Sequence, residues 1–198
     1  MRIALVGPAY PDRGGGARHT TELAHRLTAA GHNVVIESWR AQPRSQHHPE
    51  GQPYPRTYRR LARYRPDSWL AAGRRLRSAD LVILVLVTPA QVPFYLSLLT
   101  RLTLGPKHPR TVLICHRLPR ETALARSLLS HADTVIVHSA AQAAEARELA
   151  CDVPIVVARI PPYIPATAAP IPVPAPRHPD SSPETYWAAY LQALRVSS

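Results

Sequence analysis

Residues 2–36 read RIALVGPAYPDRGGGARHTTELAHRLTAAGHNVVI, and the fold is decided there. Ile3 to Val6 is a short continuous apolar run closed by Gly7-Pro8, the pattern of a strand buried on both faces of a parallel sheet. Residues 7–16 hold too much glycine and proline for a helix interior. From Ala17 to Ala30, apolar side chains recur at Leu23, Ala24 and Leu27. Gly31 supplies a stop, so a helix is expected over this stretch. Val34-Val35-Ile36 is the next strand. Strand, glycine loop, helix and strand make a βαβ unit with a right-handed crossover.

Working outward, the alternation continues. Residues 40–57 are polar, with Pro43, Pro49, Pro53 and Pro55, and read as an excursion rather than an element. Trp69, Leu70, Ala72, Gly73 and Leu76 form a helical stripe after Pro66. Leu81 to Val87 is the clearest buried strand, and Pro89 to Leu104 is a helix ended by Gly105-Pro106. Strands are then expected at Thr111–Cys115, Thr134–Val137 and Val153–Ala158, with helices at Glu121–Ser130 and Ser139–Ala150, the latter N-capped by Ser139. Apolar β-branched runs alternating with helices predict an α/β chain: one Rossmann-like, doubly wound, mostly parallel sheet spanning 1–160. Nine prolines fall within 161–183, which predicts an extended Pro-rich linker. A C-terminal amphipathic helix is expected over 184–196, with Tyr186, Trp187, Tyr190, Leu191 and Leu194 at helical spacing.

The 198 residues are 45% apolar, enough for one domain with a real core. The two cysteines, Cys115 and Cys151, form no disulfide framework and no zinc spacing. The N-terminal apolar run is too short for an export signal, and Leu81–Val87 falls far below the roughly 20 residues that span a bilayer. A cytoplasmic chain is expected, with peripheral contact at the inner face of a membrane as an open option. The 24 Lys+Arg against 13 Asp+Glu leave a formal charge of +11, which attracts polyanions, anionic headgroups or a nucleotide diphosphate without choosing among them.

The residue types that carry chemistry cluster at predicted strand ends. Gly14, Gly15 and Gly16 precede the first helix, where glycine admits close approach and free N–H groups attract an anion. The spacing is not the GxGxxG dinucleotide fingerprint, and no Gly-Lys-Ser/Thr follows. Cys115-His116 ends a buried strand, where doubly wound sheets bind ligands. His116 reads equally as a ligand contact or as a structural histidine. Arg117 and Arg120 beside it suit a phosphate or sugar, and Glu121 reads as a base or as a helix cap. His138-Ser139 ends the following strand, and His138 joins His116 if those strands are neighbours. The adjacent pair His47-His48 points its side chains apart, so no metal site is expected.

The segment VGPAYPDRGGGA at residues 6–17, followed by Thr20, resembles the N-terminal domain of retaining glycosyltransferases of family 4, which have the two-domain GT-B fold. The likeness continues through Gly31-His32, Ile114-Cys115-His116, Glu121, Ala132-Asp133 and Val137-His138-Ser139. The resemblance implies an acceptor-side domain, with Gly14 and Gly15 reaching donor phosphates and His116 contacting the transferred sugar. It implies a nucleotide-sugar as substrate rather than a cofactor, and a sugar or lipid-linked acceptor. Arg117 stands where the family has asparagine, Arg120 where histidine is common, Gly16 where a branched residue is usual, and Ala140 where an acid often follows His-Ser. The family's donor-binding domain has no counterpart after the linker. The expectation is either one part of a split glycosyltransferase, with a separate donor-domain subunit or a homodimer, or a truncated and weakly active or inactive homologue. The alternatives are a basic polyanion- or membrane-surface-binding module using the arginines of 56–77, or another small-molecule enzyme on the same sheet. No motif points to specific nucleic-acid binding.

Overall fold

The computed structural model describes residues 1–40, 52–63, 65–104, 108–119, 122–150, 152–160 and 183–195. Seven strands form one sheet: β1 (Arg2–Val6), β2 (Asn33–Trp39), β3 (Thr57–Leu61), β4 (Leu81–Leu86), β5 (Arg110–Cys115), β6 (Thr134–Val137) and β7 (Ile155–Val157). Their order is β3-β2-β1-β4-β5-β6-β7, and every pairing is parallel. The helices are α1 (Gly15–Ala29), α2 (Pro66–Leu76), α3 (Val92–Thr103), α4 (Ala123–Ser130), α5 (Ala140–Leu149) and α6 (Pro183–Arg195). A 3₁₀ turn at Pro89–Gln91 leads into α3.

The apolar runs form strands because both faces are covered. All six residues of β4 are buried, three facing each way. Val82, Leu84 and Leu86 pack with Tyr95, Leu98 and Leu99 of α3 and with α2, α4 and α5. Leu81, Ile83 and Val85 face the other layer, which holds Leu23 and Leu27 of α1 together with Trp187, Tyr190 and Leu194 of α6. Four helices thus cover one face, while α1 and α6 cover the other. Among the described residues, α6 supplies the aromatic cover of the β4–β6 side of that second face. Trp187 is 3% exposed and Tyr190 fully buried, each contributing a few kcal/mol of apolar burial. The Arg110 guanidinium ties the end of α6 down by donating to the Leu194 carbonyl at 3.2 Å.

The doubly wound sheet and the C-terminal helix match expectation, and β3 corrects it. Thr57-Tyr58-Arg59-Arg60-Leu61 lacks the apolar run of the inner strands because, among the described residues, it is an edge paired only to β2 and solvated on alternate residues. The expected excursion is anchored at Tyr54, whose buried hydroxyl donates to the Val34 carbonyl at 3.1 Å. α4 begins at Ala123, with the Thr122 hydroxyl capping the Ala125 N–H. Ser139 caps α5 as its position suggests, accepting from the Gln142 N–H at 3.1 Å. Arg120, Glu121, His47, His48, Cys151 and the Pro-rich stretch up to 182 lie outside the described residues.

The strand order reverses between β1 and β4. After Val6 the chain leaves toward β2, and after β4 it leaves toward β5. At that fork the fully buried Tyr95 hydroxyl reaches the carbonyls of Val85 (2.9 Å) and Val6 (3.2 Å) and accepts from the Gln91 side-chain amide (3.2 Å). Tyr95→Phe orphans these groups and is expected to cost about 1–3 kcal/mol, seen as a lower urea midpoint at unchanged slope. A variant as stable as the parent would mean the hydroxyl does not hold the fork.

Candidate functional site

In an open parallel sheet, ligands bind outside the carboxyl ends of the strands where the order reverses. Here that rim is built from the loop after β1, the start of α1, and the ends of β2 to β6. The loop is held by an internal ion pair. One Arg59 nitrogen donates to both oxygens of the buried Asp12 carboxylate at 3.0 and 3.1 Å. The other donates to the carbonyls of Ala9 and Tyr10 at 2.9 and 2.8 Å. An arginine on the edge strand therefore fixes the path of residues 9–12 and delivers the glycines to the rim.

The three glycines differ. Gly14 has φ +117° and ψ 156°, a conformation that a side chain strains. It is the N-cap of α1 and brings no side-chain cap, and the first turn holds no acid. Gly15 is exposed, and a Cβ there would meet nothing. Gly16 is buried, and a Cβ there would overlap Val87 at the end of β4, so its requirement is close helix–strand packing. All three border a cleft of about 440 Å³ shared with Arg13, Arg40 and Arg63.

On the other side of α1 the two strand-end histidines meet. β5 and β6 are neighbours, and the rings of His116 and His138 stand 4.9 Å apart. A third histidine, absent from the sequence reading, completes the group. His19 lies one turn along α1 from Gly15 and Gly16, and its Nδ1 is 3.1 Å from His116 Nε2. The spacing of three to four residues from a helix-opening glycine was the available signal, since it puts both on one face. His19 stacks on Trp187 of α6 (5.5 Å, 12°) and lies edge-on to Tyr190. His138 Nδ1 donates to the Ala158 carbonyl at 2.8 Å, with the Tyr190 hydroxyl 3.2 Å away. Gln142 links the two strand ends, accepting from the His138 N–H and donating to the His116 carbonyl.

The terminal helix seals His19, which is 3% exposed, but leaves His116 half-buried and Gly14 and Gly15 open. Burial pushes the His116 imidazole down to about 4, reinforced by repulsion from His138. Burial also lowers His19 strongly, with help from both neighbours, and lowers His138 against the opposing hydrogen bond to Ala158. All three are neutral at pH 7, so they offer hydrogen bonds without charge. Cys115 faces the core layer of α2–α5, and burial pushes its thiol up to about 12, which removes it as a nucleophile at neutral pH. Among the described residues, no group of three or more His, Cys, Asp or Glu side chains is arranged to hold a metal ion.

Arg117 is exposed beyond His116 and does not line the glycine cleft. The other arginines of 56–77 are partly spent internally. Arg75 donates to the buried Glu37 at 3.1 and 3.3 Å, with Arg60 3.6 Å from the same carboxylate. Together with Arg59 on Asp12, this reduces the charge available to a flat polyanion surface. No helix among the described residues is long and apolar enough to cross a membrane.

The depressed histidines set a pH dependence. Between pH 6.5 and about 4 the unfolded chain binds protons that the folded chain excludes, so stability is full above that window and falls as pH drops through it. Each histidine contributes a slope of at most about 1.4 kcal/mol per pH unit. Urea unfolding at pH 7.5, 6 and 5 should show this loss, and His116→Asn should flatten it. Equal stability at pH 7.5 and 5 would contradict the buried, neutral cluster.

The sequence model of Glycosyltransferase Family 4 matches residues 13–167, well over half the chain. No curated protein matches it significantly. Among solved structures, the lipopolysaccharide outer core galactosyltransferase WaaB in its apo form superposes with a TM-score of 0.59 at 15% identity, over 84% of this chain and 47% of that one. An alpha-glucosyltransferase in complex with UDP and a 13-mer DNA containing a HMU base gives 0.54 at 18% identity, over 78% of this chain and 41% of that one. At such identities the likeness establishes a shared fold, and the chain spans less than half the length of either structure. With the family model covering the glycine triplet and both histidine-bearing strand ends, this chain belongs to glycosyltransferase family 4, as a Rossmann-like domain of the GT-B kind.

Proposed function

We propose that this chain is the acceptor-side half of a retaining glycosyltransferase. It works with a donor-binding domain, supplied by another polypeptide or by sequence outside this one. The reading is carried by one observation: His116 is hydrogen-bonded to His19, one helical turn from Gly15 and Gly16, so imidazole and glycine-freed backbone share one rim. Transfer forms a bond from the anomeric carbon to an acceptor oxygen and breaks the bond to the nucleotide diphosphate. The acceptor proton leaves, and the diphosphate departs with its added negative charge.

The residues of this chain would divide that work. The uncapped α1 N-terminus at Gly14 and Gly15 would face the diphosphate, worth about 0.3–1 kcal/mol from the helix dipole and more in a closed, dry cleft. The neutral His116 would hydrogen-bond the transferred sugar. His19 would orient that ring, and His138 with Gln142 would hold the strand end on which it sits. Arg117 would add positive charge at the open edge. Arg120 and Glu121, outside the described residues, stay as candidates from the sequence: Arg120 for a phosphate or sugar, Glu121 as a base or helix cap. One rim cannot enclose both substrates in near-attack geometry or exclude water, so the chain alone is expected to turn over slowly or not at all.

Calorimetric titration with UDP-, GDP- and ADP-sugars should find one weak binder, its affinity reduced about tenfold by loss of one buried hydrogen bond in His116→Ala. Unchanged affinity in that variant would overturn the role given to His116. Gly15→Ala should weaken the same binding at unchanged stability, whereas Gly16→Ala should lower stability by displacing Val87. Isotope-labelled sugar transfer by the purified monomer at ordinary enzymatic rates would remove the need for a second half.

A further inference from the structure

The histidine cluster lies on the β5–β6 side of the glycine loop. The cleft lies on the β2–β3 side, and its lining has a different chemistry. Three arginines converge on it from three separate segments: Arg13 from the loop before α1, Arg40 from the end of β2, and Arg63 just after β3. All three are exposed, and no carboxylate is among the described residues that line the cleft. Arg40 and Arg63 form no ion pair within the described residues. The adjacent Asp12 is buried and already bound by Arg59, so it does not neutralise Arg40 or Arg63. Like charges brought together around one cavity repel, and a bound anion offsets that cost.

The inner wall is apolar and aromatic. Trp39 and Phe94 both line the cleft with ring centroids 5.7 Å apart, and Phe94 packs in turn on Trp69 at 4.0 Å. Locked behind one another, these rings present a firm surface on which the face of a sugar ring can lie. At about 440 Å³ the cleft is in the range of small-molecule sites and suits a monosaccharide with one charged substituent better than a polymer. Guanidinium groups match phosphate by forked hydrogen bonding, which an uncharged hydroxyl does not exploit.

We infer that this cleft recognises a phosphorylated sugar acceptor, its phosphate held by Arg13, Arg40 and Arg63 and its ring laid on Trp39 and Phe94. The assignment of the ligand as acceptor rests on the function proposed above, whereas the binding chemistry stands on the cleft alone. The test is calorimetric titration of the full chain with glucose 1-phosphate, glucose 6-phosphate, methyl glucoside and inorganic phosphate, repeated with UDP present. Saturable binding of a sugar phosphate is expected, at least tenfold tighter than either the uncharged sugar or inorganic phosphate. The double variant R40A/R63A should weaken it tenfold or more at unchanged thermal midpoint, and R40K/R63K should restore part of the loss.

Binding of methyl glucoside as tight as that of the sugar phosphates would overturn the inference, as would no binding of any sugar phosphate. Equal affinity in the double variant would do the same. One-for-one displacement of the sugar phosphate by UDP would assign the arginines to the donor diphosphate and also overturn it. Sugar-phosphate binding that persists while no nucleotide-sugar binds would support the cleft and count against the proposed function alone. Nucleotide-sugar binding that depends on His116, with no sugar-phosphate binding, would do the reverse.

Discussion

The geometry of this protein depends on the fork between β1 and β4. Two parallel strands, buried apart from Arg2 at the start of β1, run side by side, then the chain leaves them in opposite directions. Divergence opens a crevice that hydrogen bonding within the sheet cannot close. Tyr95 fills its floor from one layer, satisfying the carbonyls of Val6 and Val85. Gly16 lets α1 settle against Val87 at its wall. The glycine loop lies beside that crevice, with the histidine cluster on its β5–β6 side and the arginine-lined cleft on its β2–β3 side. The position of the crevice follows from strand order rather than from any local motif.

Charge is handled differently on the two sides. Toward β5 and β6, burial lowers three imidazoles, with repulsion among them lowering His19 and His116 further, so they serve as neutral hydrogen-bonding groups. Toward β2 and β3, arginines keep their charge, but those with structural duties are committed to Asp12 and Glu37. Arg13, Arg40 and Arg63 line the cleft. Part of the large positive formal charge is thus taken up by internal ties, and part is gathered at one concave surface. The division matters more for function than the total, because a concave site with apolar walls concentrates the field that a convex surface spreads.

The aromatic terminal helix joins the two themes. Trp187 and Tyr190 cover the sheet face that α1 alone leaves open, and in doing so they form the wall behind His19. One packing event therefore supplies both core area and apolar surroundings for His19 and His138. Arg26 and Glu184 close the contact at the surface with an exposed ion pair of small energetic weight.

Local sequence was sufficient for most of the fold. Apolar runs such as Leu81–Leu86 admit only a strand buried on both faces, and their alternation with helical stripes admits few topologies. The glycine triplet, His116 and His138 were legible as candidates because strand ends and helix starts are where backbone groups and side chains meet ligands. β3 was not legible, since an edge strand is stabilised by its neighbour and by Arg59's ties rather than by its own apolar pattern. Nor were His19 as a partner of His116, the separate duty of Gly16, or the gathering of Arg13, Arg40 and Arg63. Sequence alone determined the inner strands and the helices, because periodicity and backbone chemistry act over a few residues. Tertiary structure alone decided which charges are spent and which histidines lose their protons, because both depend on what distant segments bring within a few ångströms.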